Sequence, residues 1–475
     1  MSEKILIREA AEPDVDGIRE IFTACYSDHY AYPQYYDETR LKQLIYDRDV
    51  VFLVAEETVT GRLLGTGSVI LDIGAWGDLM GEFGRLAVHP DGRGKRIGSR
   101  LMEGRIERVE HRLHVGIVEN RAVHPFSQKI SDHHGFTCAG FLPSKMLFAK
   151  RENVSLYIRH FGDCLRLRRN HPRIIPEAWE LADEVLRNSG IGCDAIVDDS
   201  TYPYARAGEF EIEEMTSEGY TSLLHFERGR VRHREIFGPV KLHVGFFQLR
   251  ISHYEYLLAR RNGHLIGGIG FFVDEAEKAA RILELVSTDE RAIRCLLEEA
   301  VTRLHEDSNV DYVEVDVSAY SPAMQRTLLE LEFLPAAYLP AMSFHRVERL
   351  DGIRMLRLFQ PLDLEGVQLH EASRSVADLV VSSFSSLPAD PGIIRQIAAS
   401  GAFATLRPEQ IDALARCASF GPVPATDSTP LVEAIPVEGG KFIVFDQGAL
   451  EKLAEARPDI GVVLYRDLAR RLALR

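Results

Sequence analysis

Two stretches of this chain match each other at a constant offset of 197, and that self-similarity constrains the fold more than any other feature. Val118, Pro125, Gln128 and Lys129 correspond to Val315, Pro322, Gln325 and Arg326, and Phe136, Ala139, Phe141, Leu142 and Pro143 correspond to Phe333, Ala336, Tyr338, Leu339 and Pro340. Upstream, Gly61-Arg62-Leu63-Leu64-Gly65 matches Gly263-His264-Leu265-Ile266-Gly267, where Asn262-Gly263 spells a tight hairpin turn. Three matches in the same order imply duplication of one folding unit. A length of 475 residues also exceeds a single ordinary core.

The first copy reads as alternating strands and helices. Ile5 to Arg8 is a short strand, and Ile18, Ile21, Phe22 and Cys25 recur at helical spacing after Pro13. Residues 50–55 and 63–70 form a hairpin around Thr60-Gly61. A strand from Glu82 to Val88 runs into His89-Pro90-Asp91-Gly92, and a helix from Ile97 turns Leu101, Met102, Ile106 and Val109 inward. A strand from Leu113 to Val118, a helix ending at His134-Gly135 and an extended segment from Phe136 to Phe148 complete the unit. The expected class is α/β (α+β): tandem mixed β-sheets flanked by helices, with a small, mostly helical C-terminal region. The expected boundaries are 1–150, a connecting helical subdomain at 151–205 with a helix from Pro176 to Arg187, a second copy at 206–350, and 351–475.

Composition excludes several classes. Hydrophobic residues make up 45% and charged residues 27%, as in an ordinary globular protein, and no apolar run is long enough to cross a bilayer. The N-terminus lacks the pattern of an export signal. Six scattered cysteines without CxxC spacing predict neither a zinc site nor a disulfide framework, so a cytoplasmic location is expected and no metal. A net charge of −15 disfavours nucleic acid, although Arg166 to Arg169 form a basic run. Against that acidic background, Arg93, Lys95, Arg96 and Arg100 cluster beside Gly94 and Gly98 at the start of a helix. Backbone amides at a helix N-terminus attract anions, and glycines let a phosphate approach the main chain.

The run from Phe83 to Met102 resembles the pyrophosphate loop of the GNAT superfamily of acyl-CoA-dependent acetyltransferases, whose pattern is Gln/Arg-x-x-Gly-x-Gly/Ala after a strand ending Val-x-Pro. The likeness covers residues 4–150 well and 208–348 weakly; the second copy has no glycine in the corresponding stretch, Val286 to Ile293. Arg96 stands where the family has its middle glycine, a replacement that is tolerable with a negative φ. The resemblance implies acetyl-CoA (acyl-CoA) as co-substrate, held by Leu86, Ala87 and Val88, by Arg93, Gly94, Lys95, Arg96, Ile97, Gly98 and Ser99, and by Asn120. It further implies direct attack by an amine of a small-molecule or protein acceptor, with Glu82 as base. Ser131 occupies the position of the family's tyrosine acid; His124, His133 or His134 could substitute, or the thiolate could leave with water's help.

Tyr26, Tyr30, Tyr32, Tyr35 and Tyr36 crowd beside Asp28, Asp37 and Glu38. They suit either an acceptor-binding surface, with Tyr26, Tyr30 and Tyr32 foremost, or an aromatic cluster packed between domains. The second copy reads as a scaffold that completes an internal pseudo-dimer. Phe403 to Cys417 and Phe442 to Leu472 resemble the first helix, last strand and final helices of a cyclic-nucleotide-binding domain, without its phosphate cassette, so no nucleotide binding is expected there. Helices are expected at 406–417 and 459–472. The rival to a transferase is a non-catalytic acyl-CoA sensor or assembly protein, and the sequence leaves the oligomeric state open.

Overall fold

The computed structural model describes residues 5–27, 30, 32–71, 73, 77–206, 208–224, 234–238, 253–306, 308 and 310–385. Farther on it describes 397, 406–415, 418–421, 434–436, 442–445, 450, 453, 454, 457, 458 and 460–463. It divides into two compact units, one formed by 1–357 with 364–382 and the other by 358–363 with 383–475.

In the first half of the larger unit, β1 (Ile5–Glu9), α1 (Val15–Tyr26), α2 (Glu38–Tyr46), β2 (Val50–Glu57), β3 (Leu63–Leu71) and β4 (Met80–Val88) follow in order. They are succeeded by α3 (Ile97–Val109), β5 (Val115–Arg121), α4 (Phe126–His133), β6 (Thr137–Leu147) and β7 (Arg151–His160). After the short pair β8 (Arg173–Ile174) and β9 (Ile196–Val197), which brackets α5 (Pro176–Asn188), the pattern repeats. The second half runs β10 (Glu211–Glu214), α6 (Ser217–Leu224), β11 (Tyr254–Arg261), β12 (His264–Asp274), β13 (Ala279–Ser287), α7 (Arg291–Glu306), β14 (Tyr312–Ser318), α8 (Pro322–Glu330), β15 (Leu334–His345) and β16 (Glu348–Leu358). A helix α9 (Glu371–Ser385) follows.

All but β8 and β9 of these strands join one 14-stranded sheet, in the order β1-β2-β3-β4-β5-β7-β6-β15-β16-β14-β13-β12-β11-β10. The second seven mirror the first seven, so the duplication is realised as a pseudo-dimer with its seam at β6 and β15. At that seam Gly140 lies opposite Ala337, and a Cβ on Gly140 would stand 2.2 Å from the Ala337 Cβ, so only glycine lets the halves close. The hairpin expected at Asn262-Gly263 forms, with φ of 52° and 75°.

The first-half helices form because their apolar residues share one stripe. On α1, Val15, Ile18, Ile21 and Phe22 are buried against Leu41, Phe52 and Val54, and each fully buried side chain of this size contributes about 2 kcal/mol. Asp14 fixes the start of α1 by accepting Ala11 N–H at 2.7 Å and pairing with Arg8 at 2.6 Å. On α3, Ile97 and Leu101 pack with Ile5, Leu53 and Leu64.

Two expected boundaries are corrected. Residues 151–160 are not linker: they form β7, inserted between β5 and β6, where Tyr157 pairs with both Val118 and Cys138. Residues 351–358 likewise belong to β16 of the second half. In the smaller unit the strand expected from Phe442 forms as β19 (Phe442–Phe445), and it is the centre of an antiparallel sheet whose other strands, β17 (Ala418–Gly421) and β18 (Ala434–Pro436), were not expected. The smaller unit also contains α10 (Pro408–Ala415). Residues 403–405, 416, 417, 446–449, 459 and 464–472, which the expected helices include, lie outside the described residues.

Candidate active site

The parallel strands β4 and β5 pair only at Met80–Val115, Gly81–Gly116 and Glu82–Ile117, and beyond Glu82 they part. On its other edge β5 stays paired with β7 from Val115 to Arg121. Leu86, Val88 and the end of β5 thus have no ladder partner across the gap. His89 gives its N–H to Leu64 O on β3 at 2.9 Å. Amides alternate along a strand, so the Val88 N–H faces the gap.

A bulge helps to bend β4 away. Ser68 opposes Gly84 and Thr66 opposes Ala87, which leaves Arg85 and Leu86 facing Gly67 alone. Arg85 takes a φ of 56°, and its guanidinium pairs with Glu82 at 2.5 Å. Arg105 of α3 stabilises the bulge from inside by donating to Ser68 O at 3.2 Å and Gly84 O at 3.0 Å. Burial, reinforced by Arg85, pushes its pKa down to about 9.

At the mouth of the gap, a 3-10 turn (Pro90–Gly92) leads into Gly94, with φ of 81°, and Arg96, with φ of 58°. The condition of a negative φ at Arg96 is not met: the residue is left-handed at the N-cap of α3. The backbone keeps the turn a glycine would make, at a strain of about 1 kcal/mol. No side chain caps α3, so its first amides remain available to an anion. Arg93 and Arg96 are exposed and, among the described residues, form no ion pair; Lys95 stands 3.7 Å from Glu57. Ser99 Oγ is hydrogen-bonded to His134 Nε2 at 2.8 Å. Ile97 and Gly98 are buried on the inner side of this turn.

The gap opens on a cavity of about 410 Å³ whose lining includes Tyr26, Tyr30, Tyr32, Glu82, Leu86, Asn120 and His124. Tyr26 stacks on Tyr30 at 4.8 Å, and Arg121 lies 4.2 Å over the neighbouring Phe148 ring. Burial raises all three tyrosine pKa values, so they present neutral phenols. Tyr35 and Tyr36 belong instead to the core around Phe22, and Asp28 lies outside the described residues. His124 is neutral at pH 7, its pKa lowered by burial and by Arg121, and its Nδ1 is buried without a partner.

Ser131 does not line the cavity. It is fully buried and bonded to Asn120 Nδ2 at 2.9 Å. One turn earlier on α4, Ser127 does line it, with a buried hydroxyl that has no partner. His133 is exposed. Also missing from the sequence reading are Glu119 and Lys145, and, from the second half, Phe272, Asp274, Glu277 and Glu314. Burial raises the Glu119 pKa. Lys145 pairs with Glu314 at 2.8 Å. A carboxylate near each strand, aromatic walls and an open backbone edge can orient a thioester beside an amine.

Residues 15–130 match the Acetyltransferase (GNAT) family model. The GNAT match ends inside α4, within the first half. No curated protein matches the chain. Among solved structures, a ribosomal-protein-alanine N-acetyltransferase from Brucella melitensis is 23% identical, over 33% of this chain and 99% of its own, with a TM-score of 0.30. A GNAT superfamily phosphinothricin acetyltransferase from Sinorhizobium meliloti, in complex with AcCoA, is 18% identical over 34% and 89%, also at 0.30. A Salmonella typhimurium acetyltransferase with its cofactor acetyl-CoA is 20% identical over 34% and 95%, at 0.31.

Unlike the first half, the second half is closed by its own chain. β13 and β14 pair as far as Ile282–Val315. Past that point Glu235 O accepts Ser318 N–H at 2.7 Å and Phe237 N–H is given to Asp316 O at 2.8 Å, so residues 235–237 fill the gap. Where the first half leaves α3 uncapped, Asp289 accepts Arg291 N–H at 3.1 Å at the start of α7. Arg291 and Arg261 hold its carboxyl well below the usual range. An internal carboxylate thus occupies the anion position.

The Arg166 to Arg169 run is engaged internally. Arg168 is buried between Asp351, at 2.6 Å, and Asp194, at 2.8 Å, and Arg169 lies over Tyr320. Among the described residues, no helix is long and apolar enough to cross a membrane.

Proposed function

We propose that the first half is an N-acetyltransferase moving an acetyl group from acetyl-CoA to an acceptor amine in a ternary complex. The open β4–β5 gap beside an uncapped, arginine-flanked helix start is the observation that carries this reading. The amides from Gly94 to Ser99, with Arg93 and Arg96, would bind the diphosphate. The free edge at Leu86–Val88 and the Asn120 side would hold the pantetheine arm.

The amine nitrogen attacks the thioester carbonyl carbon, the oxygen takes the negative charge, and the Val88 N–H stabilises it. Collapse breaks the carbon–sulfur bond. Glu82 is held by Arg85 at 2.5 Å, whereas Glu119 has only a 3.4 Å contact with Arg354, itself engaged by Asp316, and its pKa is raised by burial, so Glu119 is better matched to receive the amine's proton. The leaving thiolate takes its proton from a water molecule, which the neutral His124, with Ser127 beside it, would position.

Calorimetric titration of acetyl-CoA against wild type and Gly98→Trp, followed by CoA release with a panel of amines, tests this reading. A Cβ on Gly98 already comes within 2.9 Å of Ile130, so a folded Gly98→Trp protein should lose binding. Glu119→Gln should bind acetyl-CoA as wild type does and lose about 100-fold in kcat. Binding without turnover of any acceptor would instead assign an acyl-CoA sensor, and no binding would remove both readings.

A further inference from the structure

The two halves each send a hairpin tip across the pseudo-dyad into the other. Asp78 precedes β4 as Glu277 precedes β13. Each is followed by a residue of positive φ, Leu79 at 54° and Lys278 at 46°. The carbonyls of that pair accept His114 N–H at 2.8 Å and Asp311 N–H at 3.0 Å. Asp78 O accepts Arg349 of the opposite half at 2.9 Å, and Glu277 O accepts Arg151 of the opposite half at 2.9 Å. Asp78 and Glu277 are therefore structural counterparts.

Their side chains meet different fates. The Asp78 carboxylate, 1% exposed, is paired with Arg234 at 3.2 Å. Arg234 stands just before the segment that fills the second half's gap. Glu277, 4% exposed, lines the open cavity of the first half and, among the described residues, has no ion-pair partner. The Tyr32 side chain shares the cavity wall with it, and the nearby Lys145 is already held by Glu314. Asp274 fixes the turn by accepting Ala276 N–H and Glu277 N–H, each at 3.1 Å, so it adds negative charge without neutralising Glu277.

The closed half thus supplies from its own chain a carboxylate at the helix start, a strand in the gap and a guanidinium on the hairpin carboxylate. In the open half the first two positions suit the diphosphate and the pantetheine arm. The third is left for a ligand. We infer that the acceptor carries a cationic group besides its nucleophilic amine, and that Glu277, delivered by the second half, pairs with it. The inference rests on the transferase reading and gives the second half a share in substrate selection. It points to a diamine or a similarly doubly basic molecule, since a carboxylate at that end would be repelled.

The full chain, saturated with acetyl-CoA, should be assayed with 1,4-diaminobutane, n-butylamine and 4-aminobutyrate. The diamine should have the highest kcat/KM, by about tenfold or more over n-butylamine, and the amino acid the lowest. Glu277→Gln should raise KM for the diamine about tenfold and erase its advantage, while the dissociation constant of acetyl-CoA stays within twofold. A wild type that treats the diamine and n-butylamine alike overturns the inference, as does a Glu277→Gln protein that loses both equally. Should no acceptor turn over, titration of 1,4-diaminobutane into the CoA-saturated protein decides: heat lost in Glu277→Gln supports the pairing, and no heat in wild type overturns it. Failure of acetyl-CoA itself to bind would remove the transferase reading, and the diamine titration on the free protein would still decide the role of Glu277.

Discussion

Asn120 on β5 donates its side-chain amide to Ser131 Oγ on α4 at 2.9 Å, and the serine is fully buried. The pair fastens the helix to the strand behind the cavity wall and leaves Ser131 without access to a leaving sulfur. Ser131→Ala should therefore keep kcat within about twofold of wild type while lowering stability by about 1 kcal/mol, the typical effect of one lost hydrogen bond. Parallel CoA-release assays and urea melts check both halves of the statement, and a hundredfold fall in kcat would return Ser131 to the chemistry.

Arg105 should behave in the opposite way from a surface arginine. Its terminal Nη1 alone bridges two carbonyls at the bulge, Ser68 O and Gly84 O, and the shorter lysine side chain ends short of that nitrogen's position. Arg105→Lys is expected to cost about 2 kcal/mol of stability and to weaken acetyl-CoA binding by letting β4 close toward β5. Calorimetry and thermal melts at one pH measure the two effects; unaltered acetyl-CoA affinity in a destabilised protein would show that the gap does not depend on the bulge.

At Arg96 stability and binding should separate. With a φ of 58°, Arg96→Gly relieves the left-handed strain and should raise stability by about 0.5–1 kcal/mol. It also deletes an exposed cation at the proposed diphosphate position, so the dissociation constant of acetyl-CoA should rise several-fold and depend less steeply on salt. Melts and titrations at two ionic strengths test this; tighter binding by Arg96→Gly would mean that backbone geometry outweighs charge in the loop.

The parts of this site legible in the sequence are those whose chemistry is local. Gly94 and Gly98 flanked by arginines at a helix start carry their own reason, because a phosphate needs backbone room and positive charge within a few residues. The duplication was equally legible, since scattered positions from Val118 to Pro143 recur at one constant offset in Val315 to Pro340. By contrast, the sequence of Arg151 to His160 groups with the connecting subdomain, because strand insertion between β5 and β6 is a long-range event with no turn signal to announce it. Ser131 and Ser127 sit one turn apart on the same helix, and spacing alone could not decide which one faces the cavity. Glu277 was out of reach for a deeper reason: its place in the cavity wall is created by the pseudo-dyad, which carries a turn of one copy into the cavity of the other.

Glu277 also leaves a signature in the pH dependence of stability. Burial pushes its carboxyl from an ordinary 4.5 up to about 7, so between those values the folded chain holds a proton that the unfolded chain has released. Stability is accordingly full below the ordinary value and is lost as pH rises through about 7, by about 2–3 kcal/mol. Glutamine has no proton to lose. Glu277→Gln should match wild type in urea melts near pH 4 and exceed it by about 2–3 kcal/mol near pH 8. Saturating 1,4-diaminobutane should narrow that difference by stabilising only the wild type, because a bound cation favours the ionised carboxylate. Equal stabilities at both pH values would mean that the carboxyl is better solvated than its burial implies, and would weaken the case that a ligand cation is what it waits for.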